Sequence, residues 1–294
     1  MNVRLVEARD RDLLLTSFKP MFGDWDYLPM VVDDWLKRSD TRFTWVVEDG
    51  PMLAAMAQAH ETEPGEWYLN GLRSNPEASS QQVGAAILGL MRRMERRLRQ
   101  AGAHSVRDGT LPSFVESRRL ARILGFREQF RLGHSWHPCP SAAGGSTGPE
   151  CRVARDTDAV FERLSRGAVL TRACGRFFTW WDTRRFTLER ARRARSSGRL
   201  LQCSENGEPE GWAFFWHVQW QGLLVLSVME GSDLALGALF RAGISAAHRL
   251  GCKGIGVVHP SLSEMHRRER LFGLQPGGCH TIQFVKELLP AAEW

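Results

Sequence analysis

Leu72-Arg73-Ser74-Asn75-Pro76-Glu77-Ala78-Ser79-Ser80-Gln81-Gln82-Val83-Gly84-Ala85-Ala86 reads as the end of a strand, a polar loop and the opening turn of a long helix. A helix start leaves backbone N–H groups unpaired and carries the positive end of the helix dipole, so it can hold a pyrophosphate without charged side chains. Gly84 and Ala86 keep that turn low, while Gln82, Val83, Gly84, Ala85 and Ala86 offer the donating amides. The loop from Glu77 to Ser80 brings no positive charge, so phosphate affinity would also draw on arginines elsewhere, with Arg73 and Arg118 as candidates. The competing reading makes Gly84 and Ala86 only a tight helix start against a sheet.

Working outward, apolar residues recur at helical spacing over 82–100 (Val83, Ile87, Leu90, Met91, Met94, Leu98) and stop at Gly102. A strand over 104–108 and a helix over 113–124, closed by Gly125, follow. Upstream, 43–48 and 52–60 read as strands joined around Asp49-Gly50, and 66–73 as a third after the Pro64-Gly65 turn. Before them stand a strand at 2–8 and helices at 11–19 and 29–37.

The same order recurs after 138–149, a stretch rich in Pro, Gly, Ser and Ala that reads as a linker. A strand at 151–154 leads to helices at 157–165 and 180–196, then strands at 200–204, 212–220 and 223–229. A helix at 234–250, a strand at 253–259, a helix at 261–272 and a strand at 281–288 complete it. The expected fold is α/β with mixed sheets, in two tandem domains at 1–137 and 151–294 joined by 138–150.

At 294 residues, with 43% hydrophobic and 24% charged residues, the chain has the composition of two folded domains and excludes wholesale disorder. The net charge of +6 comes almost wholly from arginine and fits a phosphate-bearing cofactor as well as a nucleic acid. The arginine runs at 92–99 and 190–195 lie opposite apolar stripes and lack interleaved aromatics, so they read as solvated faces and argue against nucleic-acid binding. No stretch is long and apolar enough for a membrane helix, and early charges interrupt any signal peptide, so the expectation is a cytoplasmic protein that binds no membrane. The six cysteines show neither a CxxC pair nor a His-Cys spacing, so no disulfide and no metal is expected.

The spacing Gln81-x-x-Gly84-x-Ala86 after a strand, together with Leu124-Gly125-Phe126 closing a helix, resembles the signature of the GNAT (GCN5-related N-acetyltransferase) superfamily. Gly23-Asp24-Trp25-Asp26-Tyr27-Leu28-Pro29, with Trp35-Leu36 and Gly71-Leu72-Arg73, is similar to the vertebrate histidine N-acetyltransferase group over residues 20–110. That group has a GNAT-like second half.

The resemblance implies an acetyl-CoA site formed by Leu72, Arg73, Ser74, Gln81, Gln82, Val83, Gly84, Ala85 and Ala86, with Ser113 and Ser117 toward the pantetheine sulfur. It implies an acceptor pocket under Asp26, Tyr27 and Trp35, in which Arg73 would clamp a carboxylate; the competing reading has Tyr27 and Trp35 anchoring a loop in the core. Glu66, expected at low burial and acting through water, is the candidate base, with His60 and Glu61 as rivals. The family's acid is a tyrosine where this chain has Ala121, which leaves Tyr27 or water as the acid, a thiolate that departs unaided, or a loss of activity.

In the second half, Glu230-Gly231-Ser232-Asp233-Leu234-Ala235-Leu236-Gly237 lacks a phosphate loop, and Asp233 reads as a helix cap filling the phosphate's place, so that half is read as degenerate. Trp212, Phe214, Phe215, Trp216 and Trp220 read as core of a doubly buried strand. The implied function is acetyl transfer to the amine of a small molecule, such as an amino acid. A CoA-binding scaffold without activity and a protein or peptide acetyltransferase are the alternatives.

Overall fold

A computed structural model describes residues 1–18, 26–37, 39–78, 80–140, 149–180 and 182–288, with the side chains of 80–82 left out. In chain order the elements are β1 (Asn2–Leu5), α1 (Arg11–Ser17), α2 (Leu28–Trp35), β2 (Arg42–Asp49), β3 (Met52–Glu63), β4 (Glu66–Ser74), α3 (Ser80–Gln100), β5 (Ser105–Thr110), α4 (Val115–Ile123) and β6 (Arg127–Pro138). They continue with β7 (Glu150–Val153), α5 (Thr157–Ser165), α6 (Ala168–Arg172), β8 (Arg176–Phe178), β9 (Thr183–Arg185), α7 (Leu188–Ser196), β10 (Leu200–Glu205) and β11 (Glu208–Val218). Last come β12 (Leu223–Gly231), α8 (Asp233–Arg249), β13 (Gly254–His259), α9 (Leu262–Leu271) and β14 (Cys279–Glu287).

The two compact units do not divide at 138–150. One takes Met1–Gly109, Arg119–Arg127 and the chain from Phe284 onward, and the other takes Thr110–Arg118 and Glu128–Gln283. Each contains a segment from the other's side of the sequence midpoint. In the first unit, Lys286 Nζ binds Glu95 at 2.6 Å and Leu288 N donates to His104 O at 2.8 Å, so the last strand is fastened to α3 and to the approach of β5.

Within the first unit the strands run β1-β2-β3-β4-β5, antiparallel except for the parallel pair β4/β5. Helix α3 lays Leu90, Met91, Met94 and Leu98 against this sheet, each nearly closed to solvent and each worth roughly 1.5–3 kcal/mol of burial. The arginines of α3 lie on its outer side, where Arg97 covers the Phe43 ring at 5.1 Å.

The second unit repeats the scheme as β7-β10-β11-β12, antiparallel, then the parallel pair β12/β13, with β6 antiparallel on β13. Phe214 and Phe215 are fully buried on opposite faces of β11, whereas Trp220 lies beyond the strand and is exposed.

The helix expected over 180–196 begins only at Leu188, where Thr187 caps it by accepting from Arg190 N at 3.3 Å. Before it β8 and β9 pair, and Trp180 between them has a φ of 96°, a conformation no helix interior accepts. Nor is Asp233 the cap of α8. Ser232 is, accepting from Ala235 N at 3.3 Å, while Asp233 binds Arg267 at 2.7 Å.

Candidate functional site

In the first unit β4 and β5 pair only at Glu66–Tyr68 with Ser105–Arg107 and then part, although β4 continues to Ser74 and β5 to Thr110. Just past the parting, Gly71 and Leu72 together face one residue of β3, because Asn70 pairs with Gln58 and Arg73 with Met56. This bulge kinks β4 away from β5. Gly71 has a φ of 64°, and a Cβ there would strike the Trp35 ring, so only glycine serves.

Trp35 therefore closes over the bulge. It meets the Tyr27 ring edge-on at 5.9 Å, and Tyr27 donates its hydroxyl to Asn70 Oδ1 at 3.1 Å. Burial raises the phenol's pKa, so Tyr27 stays protonated. Both rings are almost wholly buried. The Gly23-Asp24-Trp25 part of that motif lies outside the described residues.

Arg73 is not a free clamp. Its Nη1 and Nη2 donate to Asp26 at 2.7 and 2.8 Å, both side chains are 2% exposed or less, and the guanidinium lies 4.9 Å over the Tyr27 ring. Asp26 also accepts from Leu28 N at 2.8 Å, fixing the start of α2. Arg73, expected to clamp an acceptor's carboxylate, is met by the Asp26 carboxylate instead.

Glu66, expected at low burial, is 1% exposed and pairs with Arg107 at 3.2 Å across the β4/β5 ladder. An ion pair within the paired stretch links the two strands there. His60 packs beside Tyr68 with ring centroids 6.0 Å apart, and Glu61 accepts from Gly65 N at 2.8 Å.

The residue that sequence reading passed over is Asp108. It is the first residue of β5 beyond the last pair with β4, it is half-buried, and desolvation pushes its pKa up to about 7 against one opposing bond from Gly109 N at 2.8 Å. Its charge reaches the Tyr27 phenol. A carboxyl that titrates near neutrality at a strand opening is a candidate proton acceptor. The signal available beforehand was an aspartate at the carboxyl end of a parallel strand.

Helix α3 opens at Ser80, so the amides of its first turn have no intrahelical partner. Gly84 and Ala85 are exposed, and a Cβ at Gly84 would meet nothing within 4 Å, whereas Ala86 is buried in the core. Leu72 and Ser74 are half-buried at the end of β4. The side chains of Gln81 and Gln82 lie outside the described residues. Ser113, two residues before α4, and Ser117, in its first turn, fall with the second compact unit. Arg118 in α4 has a buried Nε without a partner among the described residues, and Ala121 is 2% exposed.

The corresponding helix start in the second unit is closed. A Cβ on Gly231 would lie 2.7 Å from Glu210 O, and one on Gly211 would lie 2.8 Å from Ala235 Cβ. The cleft beside it carries Glu210 and Glu230 as well as Arg163 and Arg166. Carboxylates there oppose a pyrophosphate. Among the described residues no group of three or more His, Cys, Asp or Glu could hold a metal ion, and no helix is long and apolar enough to cross a membrane.

No family model matches the chain, and no curated protein matches it. Among solved structures it is similar to a GCN5-related N-acetyltransferase from Sphaerobacter thermophilus, with a TM-score of 0.64 at 17% identity over 100% of this chain and 97% of that one. It is also similar to a tandem GNAT protein from the clavulanic acid biosynthesis pathway, with a TM-score of 0.56 at 13% identity over 99% of each chain. Likeness at these identities speaks for the fold: the chain shares its mixed α/β fold with these GNAT structures, a tandem one among them.

Proposed function

We propose that the first unit transfers an acetyl group from acetyl-CoA to the amine of a small molecule, with Asp108 as the proton acceptor. The observation that carries this reading is the parting of β4 and β5 with a carboxyl titrating near 7 at its mouth. Its structural neighbours, one a GCN5-related N-acetyltransferase and one a tandem GNAT protein, support it.

The residues at the start of α3 fit acetyl-CoA, because Gly84 leaves open the space a side chain would fill beside unpaired amides. When bound, acetyl-CoA supplies an acetyl group activated as a thioester. The amides of Val83, Gly84 and Ala85 would hold its phosphates, and the bulge at Leu72 would orient a backbone N–H toward the acetyl carbonyl. An acceptor arrives as an ammonium and must lose a proton before its nitrogen can attack; Asp108 takes that proton as a carboxylate and becomes a neutral acid until solvent removes it. Burial that raises its pKa brings the base close to neutral pH, where it is both ionised and basic.

In this scheme Glu66, Tyr27, Trp35, Asp26 and Arg73 act in positioning: they set the β4 bulge, the ladder below it and the α2 segment beside it. A free amino acid is the acceptor class that the motif resemblance favours, with its carboxylate met by a cation other than Arg73. The test is release of free thiol from acetyl-CoA across amino acids, their amides, polyamines and peptides. Turnover confined to small amines is expected. Binding of acetyl-CoA without thiol release on any amine would overturn the reading in favour of a scaffold, and preference for peptides would overturn the acceptor class.

A further inference from the structure

Helix α9 buries two neighbouring charged side chains and treats them differently. Glu269, fully closed to solvent, accepts from Ser135, from His137 and His266 at 2.8 Å each and from Gly277 N at 3.2 Å. Burial would raise its pKa, and these donors hold it below the usual carboxylate range. Arg268, 6% exposed, has no such set. Its Nε is enclosed without a hydrogen-bond partner, and its guanidinium forms no hydrogen bond or ion pair among the described residues.

The acids whose fields reach Arg268 are committed elsewhere. Glu230 accepts from Val169 N at 2.7 Å, Glu264 is bonded to Arg267 at 3.0 Å, and Asp233 to Arg267 at 2.7 Å. A buried guanidinium that the fold leaves unpaired is a group a protein keeps only when something else neutralises it.

A second unspent donor lies within its field. His259, 4% exposed, ends β13 two residues beyond the last pair with β12, Leu226 with Val257. Its Nδ1 accepts from Ser261 N at 3.1 Å, so in the neutral ring the proton sits on Nε2, which has no partner among the described residues. Burial first, and the Arg268 charge second, hold its pKa down to about 3, so the ring is neutral at physiological pH.

We propose that Arg268 and His259 form, in the second unit, a binding site for a small monocarboxylate. The guanidinium fork matches two carboxylate oxygens, and the imidazole Nε2–H supplies a further donor. A monoanion is selected over phosphate because Glu230, Glu264 and Asp233 repel a second negative charge.

The test uses the full chain and carbon-13-labelled acetate at constant ionic strength, following broadening of the carboxylate resonance. Saturable binding is expected, weakened at least about tenfold by Arg268→Met, which preserves volume and removes the charge. Arg268→Met should fold with a thermal midpoint at or above that of the wild type in acetate-free buffer, since it removes an unpaired buried charge. If it does not fold, His259→Leu provides the same test through loss of the Nε2 donor. Absence of saturable binding, binding unchanged in the variant that folds, or saturation by inorganic phosphate and not by acetate would each overturn the proposal.

Discussion

Asp26 accepts both arms of the Arg73 guanidinium, 47 residues away in sequence, at 2.7 and 2.8 Å in a site closed to solvent. The pair ties the start of α2 to β4 beside the bulge at Gly71, so its energetics belong to the architecture of the opening.

Removing one partner leaves the other charged and buried, which costs about 3–5 kcal/mol. Arg73→Ala and Asp26→Ala should each lower stability by that amount in urea unfolding, and the double variant should lose less than the sum. Additive losses would show that the pair is not coupled. An activity loss in Arg73→Ala alone then says nothing about carboxylate recognition.

Asp108 carries two pH signatures. Its folded pKa, about 7, lies above its ordinary 3.8, so the folded chain binds more protons than the unfolded chain between those values. Its contribution to stability is present below about pH 4, falls as pH rises toward 7 and is flat above. Activity runs oppositely, rising as the carboxyl ionises through about pH 7. Asp108→Asn should cut kcat by ~10²–10⁴, remove the inflection near 7 from the pH–rate profile and leave acetyl-CoA binding intact. A profile unchanged in that variant assigns the base elsewhere.

Glu66→Gln separates the ladder from the chemistry. It leaves Arg107 buried beside a neutral amide, and a loss of up to about 3 kcal/mol is expected in denaturant unfolding. The inflection near pH 7 should persist in whatever activity remains. Its disappearance would restore Glu66 as the base.

Gly84→Glu should separate binding from folding. Nothing lies within 4 Å of a Cβ there, and a helical glutamate in an early turn is worth up to about 1 kcal/mol over glycine, so the thermal midpoint should hold or rise. Acetyl-CoA affinity should fall by ~100-fold or more, because the new carboxylate faces the phosphates. Calorimetry on the wild type should give one site per chain, since the α8 start is closed. Two equivalent sites would contradict this.

The element order and the α3 start were legible because both are local: hydrophobic period, Asp49-Gly50 and Pro64-Gly65 turns, and small residues after a strand. What escaped was set by distant partners. Arg73 looked available until a carboxylate 47 positions away took it, and Glu66 looked exposed after its turn until Arg107 of the neighbouring strand covered it. Asp108 stood in a short strand with no motif, and its perturbation comes from enclosure that no local pattern encodes. The 180–196 stretch carried aromatic and helical residues without a break that names a hairpin, and the capping threonine at 187 marked the true start.

The fastening of Lys286 and Leu288 to Glu95 and His104 puts the catalytic candidate of the first unit under the control of translation itself. A nascent chain released from the ribosome at the 138–149 stretch holds Asp108 and Gly84 but not the strand that completes their sheet. Synthesis must reach residue 288 before the strand beside β5 is complete, so premature termination upstream leaves β5 an unfinished edge that chaperones and proteases can recognise.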